Sequence, residues 1–369
     1  MKSSFVQFLN AKYTSLSVEQ LNGLVADQLL SPFHVQLPSA ALQKIQTEIH
    51  AYQKLQQWTA ENLAEVYQAK NLLQPKNSSV CTSYDFHIDQ DDNPKLIEIN
   101  TNAAFLALGL ELYEFQNHTP ETGFNQQKML QMFQKDIQLC QANPESIFIM
   151  DEKPSEQRLY VEFLIFQKIF EQSGLQSKII DISEAGNIQT NSFIYNRYTD
   201  FYLSEEKSVV IRERFNKKEI HLSPHPYEYF LCADKQRLHD WNLQTAVTKP
   251  ESLLKIYDLG KEDREFIWSQ RKHLFFKPKN SFGSKQVYKG HNISRRNFDE
   301  FYGDQFIAQD LAPPAEIEVI IDGQSQKMKY DLRCFAYQGE LQLVIARLYQ
   351  GQTTNLRTVG GGFAIVKFS

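Results

Sequence analysis

The chain has few cysteines, and none of them lie close together in the sequence. The four are Cys81, Cys140, Cys232 and Cys334. Without a CxxC pair the sequence excludes the usual zinc patterns and a dense disulfide framework, and scattered thiols are typical of a reducing cytosol. Long apolar segments are also missing, since no run approaches the roughly 18 residues of a membrane helix, and 1–16 has no signal-peptide core. We therefore expect a cytoplasmic protein without a membrane partner.

An excess of positive charge is missing as well. The sequence has 39 Lys and Arg against 44 Asp and Glu, a net charge of −5. This balance gives no electrostatic basis for non-specific nucleic-acid binding, so no nucleic-acid partner is expected. The 42% hydrophobic and 12% aromatic content excludes a mostly disordered chain. A length of 369 residues predicts two or three domains.

Glycine is scarce over most of the chain. Of 15 glycines, nine lie between Gly283 and Gly362, and only six precede them. Because glycine is used where the backbone approaches another group closely or takes unusual dihedral angles, the last hundred residues are the first place to look for a bound ligand.

Local patterns predict mixed helices and strands. Apolar residues recur every three or four positions over 37–75 and within 124–143, which predicts helices, the first ending at Pro75. The segment 147–182 has the pattern of strand, helix and strand, which indicates an α/β unit with a parallel sheet. Strands dominate later, at 273–277, 286–288, 306–309, 315–321, 329–337, 341–349 and 363–367. The expected fold class is α/β (α+β).

A polar hairpin at 80–100 is the sharpest local signal. With its turn between Asp91 and Asp92, antiparallel pairing sets Asp85 opposite Glu98 and His87 opposite Leu96, and Asn100 shares the face of Glu98. Opposed carboxylates destabilise a sheet. Their presence together with a carboxamide indicates a divalent cation with oxygen ligands, Mg²⁺ or possibly Mn²⁺. The alternative is a solvated polar face in another register.

Two later segments carry polar side chains suited to anions. A buried strand ends at Lys277 and is followed by a Ser/Gly loop, 281–284, whose N–H groups suit phosphate; a surface turn with lysines is the alternative. Three arginines, Arg333, Arg347 and Arg357, lie within 25 residues among hydroxyls and a triple glycine. Guanidinium groups bind phosphate or carboxylate in a bidentate manner, although each arginine alone could simply pair with a surface acid such as Asp331.

Together these residues resemble the ATP-grasp superfamily, and within it the glutathione synthetase-like ligases, in blocks from about 233 to 364. The resemblance implies an ATP-binding set of Lys235, Lys277, Ser281, Gly283, Ser284, Gln309, Asp310 and Leu311, the last three in an adenine hinge. It implies catalytic roles for Arg333, Arg347 and Asn355, and a substrate clamp formed by Arg357, Gly360, Gly361 and Gly362. The segment 196–201, with Arg197, and the loop after Met150 are candidates for binding the acceptor substrate.

The order of the motifs resembles circularly permuted members of this superfamily, the eukaryotic-type glutathione synthetases and glutathionylspermidine synthetases. Most ATP-grasp chains place their metal-binding E-x-N strand after the other elements, but here Glu98-Ile99-Asn100 comes first and no E-x-N follows 355. The resemblance therefore implies metal ligation by Asp85, Glu98 and Asn100. It predicts an N-terminal helical region (1–75), a metal-binding hairpin completing the ATP-grasp core (76–125), an α/β substrate domain (126–232) and a nucleotide-binding region (233–369).

The implied activity is carboxylate–amine ligation through an acyl phosphate, with ATP and one or two Mg²⁺ ions as cofactors. The expected partners are small-molecule carboxylate and amine substrates, and related ligases are often homodimers. Two alternatives are an ATP-dependent phosphotransferase on the same fold and a non-catalytic ATP-binding protein. The identity of the substrates cannot be inferred from the sequence.

Overall fold

The computed structural model describes residues 1–142, 144, 146–280, 287–351, 354–355 and 357–369. The described strands, in chain order, are β1 (Val35–Leu37), β2 (Thr82–Ile88), β3 (Pro94–Asn100), β4 (Ser146–Asp151), β5 (Gln176–Asp181), β6 (Ser192–Asn196), β7 (Ile220–Ser223), β8 (Ile256–Asp258), β9 (Leu274–Pro278), β10 (Tyr288–Lys289), β11 (Phe306–Asp310), β12 (Ala315–Ile321), β13 (Gln324–Tyr337), β14 (Glu340–Tyr349) and β15 (Gly362–Phe368).

The described helices are α1 (Lys2–Lys12), α2 (Val18–Leu24), α3 (Ser39–Asn62), α4 (Ala64–Ala69), α5 (Leu106–Phe115), α6 (Gln126–Leu139), α7 (Tyr160–Gln172), α8 (Val209–Asn216), α9 (Pro226–Glu228), α10 (Gln236–Leu243), α11 (Arg264–Gln270) and α12 (Arg295–Phe301). Within the described ranges, none of these helices combines the length and the apolar character needed to cross a membrane.

A seven-stranded sheet joins the two ends of the chain. Its order is β1-β15-β14-β13-β2-β3, and β12 pairs with the first half of β13. The β2–β3 hairpin is hydrogen-bonded to β13, more than two hundred residues later, and β1 lies parallel to β15. The hairpin thus completes a sheet built by the C-terminal part of the chain, as the permuted arrangement predicts.

Both faces of this sheet are covered, because successive side chains of its central strands point to opposite sides. On one face Leu332, Cys334 and Ala346 pack with α3 and α10. On the other face Phe335 and Ile345 pack with α1, α5, α6 and α7. This packing on both faces holds the polar side chains of the central strands in fixed positions.

Two smaller sheets flank the large one. An antiparallel sheet, β10-β9-β11-β8, packs on α11 and α12 through Phe276 and Phe298. A parallel sheet, β5-β4-β6-β7, occupies the middle of the chain, which confirms the predicted α/β unit there.

Two sequence predictions about local structure were wrong. The helix expected over 37–75 ends at Asn62 and resumes only for α4, and Asn71 then has a φ of 53°, a left-handed conformation that ends the helical path before Pro75. In the hairpin, Asp85 does face Glu98, but His87 faces Lys95 instead of Leu96. The cause is a β-bulge that inserts Ile97 as an extra residue on β3.

Candidate active site

A cavity of about 610 Å³ lies between the seven-stranded sheet and the antiparallel sheet. The predicted site residues that line it are Glu98, Asn100, Lys235, Lys277, Gln309, Asp310, Leu311, Arg333, Arg347 and Asn355. Apolar side chains, including Phe275, Val287 and Pro313, line it as well. The structure thus brings one polar set together from the N-terminal hairpin and from the C-terminal half of the chain.

The three predicted metal ligands meet on the hairpin. Asp85 and Glu98 are direct cross-strand neighbours, and Nδ2 of Asn100 lies 3.4 Å from both Oδ2 of Asp85 and Oε1 of Glu98. Their positions relative to the cavity differ, because Glu98 and Asn100 line it and Asp85 does not. Glu98 makes no ion pair within 4 Å with any described residue.

Asp85 is buried and is paired with two arginines. Arg333, its cross-strand partner on β13, donates from Nε and Nη2 to the two carboxylate oxygens at 3.1 and 2.8 Å. Arg347 donates from Nη2 to Oδ2 at 2.8 Å. Burial alone would raise the pKa of Asp85, but the two guanidinium groups outweigh it and hold the pKa well below its usual range. In this structure Asp85 is a buried counter-charge, and its role as a metal ligand stays a prediction.

Arg347 links a second carboxylate to the same cluster. Its Nε donates to Oδ1 of Asp331, the cross-strand neighbour, at 2.6 Å, and Thr354 donates its hydroxyl to Oδ2 at 2.5 Å. Burial opposes the charged form of Arg347, yet Asp331 and Asp85 outweigh it and raise the pKa of Arg347 further. Its Nη1 has no acceptor among the described residues, which leaves one donor of a cavity-lining guanidinium available.

Lys277 is held in a different way, by neutral oxygens. Its ammonium donates to the carbonyl of Ile97 at 2.8 Å and to Oε1 of Gln309 at 2.6 Å. Ile97 is the bulged residue, so the bulge explains why its carbonyl is available to the lysine. Burial and, to a smaller extent, nearby Lys235 lower the pKa of Lys277 to about 8, against the attraction of Glu98.

Lys235 lies beside Lys277 on the cavity wall, just before α10. It is buried, and burial lowers its pKa although Glu98 and Asp234 oppose that effect. Two buried lysines next to each other are costly unless negative charge compensates them, and the carboxylate of Glu98 attracts both. The pair therefore suits a multiply charged oxyanion such as a triphosphate.

The predicted adenine hinge lies on the cavity wall, but much of its backbone is already bonded. The N–H groups of Asp310 and Leu311 donate to the carbonyls of Lys255 and His273 at 2.9 and 2.8 Å. The side chain of Gln309 is also engaged, with Lys277 and with the carbonyl of Leu96. The purine-binding role of this segment stays a prediction.

The predicted site residues of the C-terminal loop do not all face the cavity. Asn355 lines the cavity, and its carboxamide oxygen accepts from the N–H of Arg357 at 3.0 Å, so it also shapes the loop. Arg357 is exposed and does not line the cavity. A Cβ on Gly361 would lie 2.7 Å from the carbonyl oxygen of Leu348, and one on Gly362, at a φ of 114°, would lie 2.6 Å from that of Gln28.

Close packing therefore explains Gly361 and Gly362, and Gly360 lies similarly against Ile321 with a φ of 73°. The substrate clamp formed by these glycines and Arg357 stays a prediction. The predicted phosphate-loop residues Ser281, Gly283 and Ser284 lie outside the described part of the chain.

Arg197 is buried and fastens the α/β unit to the loop after the hairpin. It donates to the carbonyls of Asn102 and, at 3.2 Å, Ala103, and it does not line the cavity. Nearby, Phe105 has a φ of 85°, a strained value for a residue with a side chain. Its N–H is held at 2.8 Å by the carboxylate of Glu162 on α7. A substrate-binding role for Arg197 stays a prediction.

Sequence reasoning did not single out several residues on the cavity wall, among them Phe363 and Arg158. Asp331 was named with Arg333 in the segment whose counterparts in the resembling ligases hold phosphates and metal. Phe363 stacks on Phe105 with ring centroids 3.6 Å apart. Arg158 lies in the loop after Met150, which was a candidate for binding the acceptor substrate, but no sequence pattern distinguishes it from the other residues of that loop.

The donor set facing the cavity fits Mg²⁺ in part. Glu98, Asn100 and Asp331 offer carboxylate and carboxamide oxygens, which are the ligands that Mg²⁺ prefers. Within the described ranges, no group of three or more His, Cys, Asp or Glu side chains is arranged to hold a metal. Asn100 and phosphate oxygens of a bound nucleotide would therefore have to complete the coordination.

The fold is similar to that of proteins whose structures have been solved. A glutathione synthetase-like effector from Globodera pallida, in its apo form, superposes with a TM-score of 0.59 at 12% identity, over 98% of this chain and 96% of that one. The chain has a glutathione synthetase-like fold. The α/β class and the glutathione synthetase-like fold implied by the sequence resemblance are confirmed at this level.

More distant matches include a putative gamma-glutamylcysteine synthetase from Methylobacillus flagellatus, with a TM-score of 0.43, 9% identity and coverage of 86% and 85%. The ATP-grasp ligase PsnB, complexed with its precursor peptide PsnA2 and AMPPNP, matches with a TM-score of 0.29 at 10% identity, over 62% of this chain and 89% of that one. No protein-family model and no curated protein matches the sequence. The glutathione synthetase-like fold assignment depends on the first match.

Proposed function

We propose that this protein is an ATP- and Mg²⁺-dependent ligase that joins a carboxylate to an amine, with ATP as a substrate. The observation that supports this most strongly is the composition of the cavity wall. Two buried lysines, two arginines, and the oxygen ligands Glu98 and Asn100 face one space between two sheets. These groups suit a triphosphate and a divalent cation, and no side-chain nucleophile is needed.

In the proposed reaction the protein binds and orients the reactants. Lys235 and Lys277 hold the phosphates of ATP. The substrate carboxylate attacks the γ-phosphorus and breaks its bond to the bridging oxygen, which leaves with ADP. The amine then attacks the acyl carbon of the resulting acyl phosphate; phosphate leaves, and the amine proton passes to solvent. Amide-bond formation is thereby coupled to ATP cleavage.

The arginines stabilise the negative charge that spreads over the phosphoryl group during its transfer. Preorganised donors in a site that excludes water are worth more than the same donors in bulk water. Asp85 and Asp331 fix Arg347 in place, and its Nη1, which has no acceptor among the described residues, is left to donate to the phosphoryl group. Glu98 and Asn100 would hold Mg²⁺, with Asp331 facing the same cavity, and the ion would neutralise charge on the phosphate oxygens.

The test is product analysis. The protein is incubated with ATP, Mg²⁺ and pools of amino acids and amines; phosphate release is followed, and the products are weighed by mass spectrometry. A ligase gives ADP, phosphate and a compound heavier than the carboxylate by the amine minus water. A stable phosphorylated substrate would show a phosphotransferase instead. ATP binding without any turnover would show a non-catalytic nucleotide-binding protein.

A further inference from the structure

Among the described residues that line the cavity, Arg158 is the one contributed by the α/β unit. It lies between the short turn after β4 and the start of α7, beyond the carboxyl ends of the parallel strands. Ligands of such sheets bind outside these ends of the strands. The side chain is exposed, so it occupies an open part of the cavity wall.

The position of Arg158 relative to the metal strand is fixed by two contacts that cross between the units. Glu162, one turn further along, accepts the N–H groups of Phe105 and Ala107 at 2.8 and 3.1 Å. Arg197, from the neighbouring parallel strand, donates to the carbonyls of Asn102 and Ala103. Both contacts hold the loop that directly follows Asn100. Arg158 is therefore attached to the same rigid frame as the predicted metal ligands.

The other arginines of the cavity have counter-charges, whereas Arg158 has none among the residues that the structure describes. Arg333 and Arg347 pair with Asp85 and Asp331. Arg158 has no hydrogen bond or ion pair with any described residue. An uncompensated guanidinium on a cavity wall suits a bidentate carboxylate from a bound molecule.

We propose that Arg158 binds a free, non-reacting carboxylate of the amino-acid or peptide substrate. This inference depends on the proposed ligase activity, because it names the substrate class of the same cavity. Lysines on the antiparallel-sheet side are left for the nucleotide, whereas the α/β unit selects the partner molecule. The carboxylate is recognised by charge and geometry and takes no part in the chemistry.

The experiment is saturation-transfer NMR with two probe pools, the twenty L-amino acids and their α-amides, in the presence of ADP. Wild-type protein is expected to give signals from one or more amino acids and at least tenfold weaker signals from their amides. Arg158→Ala should lose this preference, and Arg158→Lys should restore part of it. Arg296→Ala is the matched control, since that arginine is 88% exposed and lies on α12 outside the cavity.

The inference is overturned if wild-type protein binds no probe, if it binds acids and amides equally, or if Arg158→Ala keeps the wild-type preference. Calorimetry with MgATP is run in parallel on the same samples. Loss of MgATP binding in all samples, with carboxylate selectivity retained, would reject the proposed ATP-dependent function and leave the Arg158 site standing. Normal MgATP binding without any Arg158-dependent selectivity would reject only the inference about Arg158.

Discussion

The two sheets that enclose the cavity hold their cations in opposite ways. On the seven-stranded sheet Arg333 and Arg347 are paired with buried carboxylates. On the antiparallel sheet the hydrogen-bond acceptors of Lys277 among the described residues are neutral oxygens, and burial lowers its pKa to about 8. On the seven-stranded sheet, which we call the arginine side, each guanidinium group is already neutralised by a carboxylate before any ligand binds. On the antiparallel sheet, which we call the lysine side, Lys277 loses its proton easily, and a bound anion would stabilise its charged form.

This difference indicates that the arginine pairs stabilise the fold and that the lysines bind the ligand. Removing a counter-charge from the arginine side should harm folding, whereas removing a cation from the lysine side should harm ligand binding. The hairpin carries one carboxylate of each kind, since Asp85 is locked in the arginine cluster and Glu98 faces the cavity. Four predictions test this division.

Asp85→Asn is expected to have the largest effect on stability. The change leaves Arg333 and Arg347 short of a buried counter-charge, and removing one partner from a buried ion pair costs about 3–5 kcal/mol. Denaturant unfolding measures this loss. An Asp85→Asn protein as stable as the wild type would show that the guanidinium–carboxylate cluster does not hold the sheet together.

Glu98→Gln is expected to abolish Mg²⁺-dependent ATP turnover, with a loss of about a hundredfold or more, because it removes a charged metal ligand. Stability should change less than in Asp85→Asn, because Glu98 makes no ion pair within 4 Å with any described residue, although its charge attracts Lys235 and Lys277. Phosphate release and unfolding are measured on the same protein. Asn100→Ala should behave alike, and equal turnover in either variant would remove the metal assignment.

Lys277→Met is expected to weaken ATP binding about 10- to 100-fold, which corresponds to a lost charge-assisted hydrogen bond of about 1.5–3 kcal/mol. Titration calorimetry with MgATP measures the affinity. Lys272→Met is the control, because Lys272 is exposed, lies just before β9 and does not line the cavity. An unchanged affinity in Lys277→Met would contradict the phosphate role.

The smallest expected effect is the pH dependence of ATP binding. The free protein loses the Lys277 proton as pH rises through about 8, and a bound triphosphate should raise that pKa again. ATP binding near pH 8 to 9 should therefore take up protons, and affinity should fall as pH rises. Calorimetry in buffers of different ionisation enthalpy measures the uptake. The same uptake in Lys277→Met would assign it to another group.

Local pattern was sufficient to predict the parts of the site that lie within one hairpin. The pairing of Asp85 with Glu98 followed from strand alternation around a polar turn. The bulge at Ile97 did not, because nothing in the alternation marks an extra residue. That bulge moves the register beyond the site and frees the carbonyl that Lys277 uses.

Long-range pairing explains most of what the sequence could not provide. Two opposed carboxylates suggested a divalent cation, but the charge that neutralises Asp85 in this structure comes from Arg333, 248 residues away. The strand pairing that brings them together depends on sheet order, which the resemblance implied only in outline. For the same reason the sequence indicated only the loop after Met150 as a candidate, since Arg158 within it becomes informative only when the cavity next to it is known.

The most direct test of the central claim is a crystal structure with a non-hydrolysable ATP analogue and Mn²⁺, located by its anomalous signal. The account predicts phosphates on Lys235 and Lys277 and an ion about 2.1 Å from oxygens of Glu98 and Asn100, with the Asp85–Arg333 pair intact. A nucleotide bound outside this cavity, or an ion on Asp85 with Arg333 displaced, would contradict it.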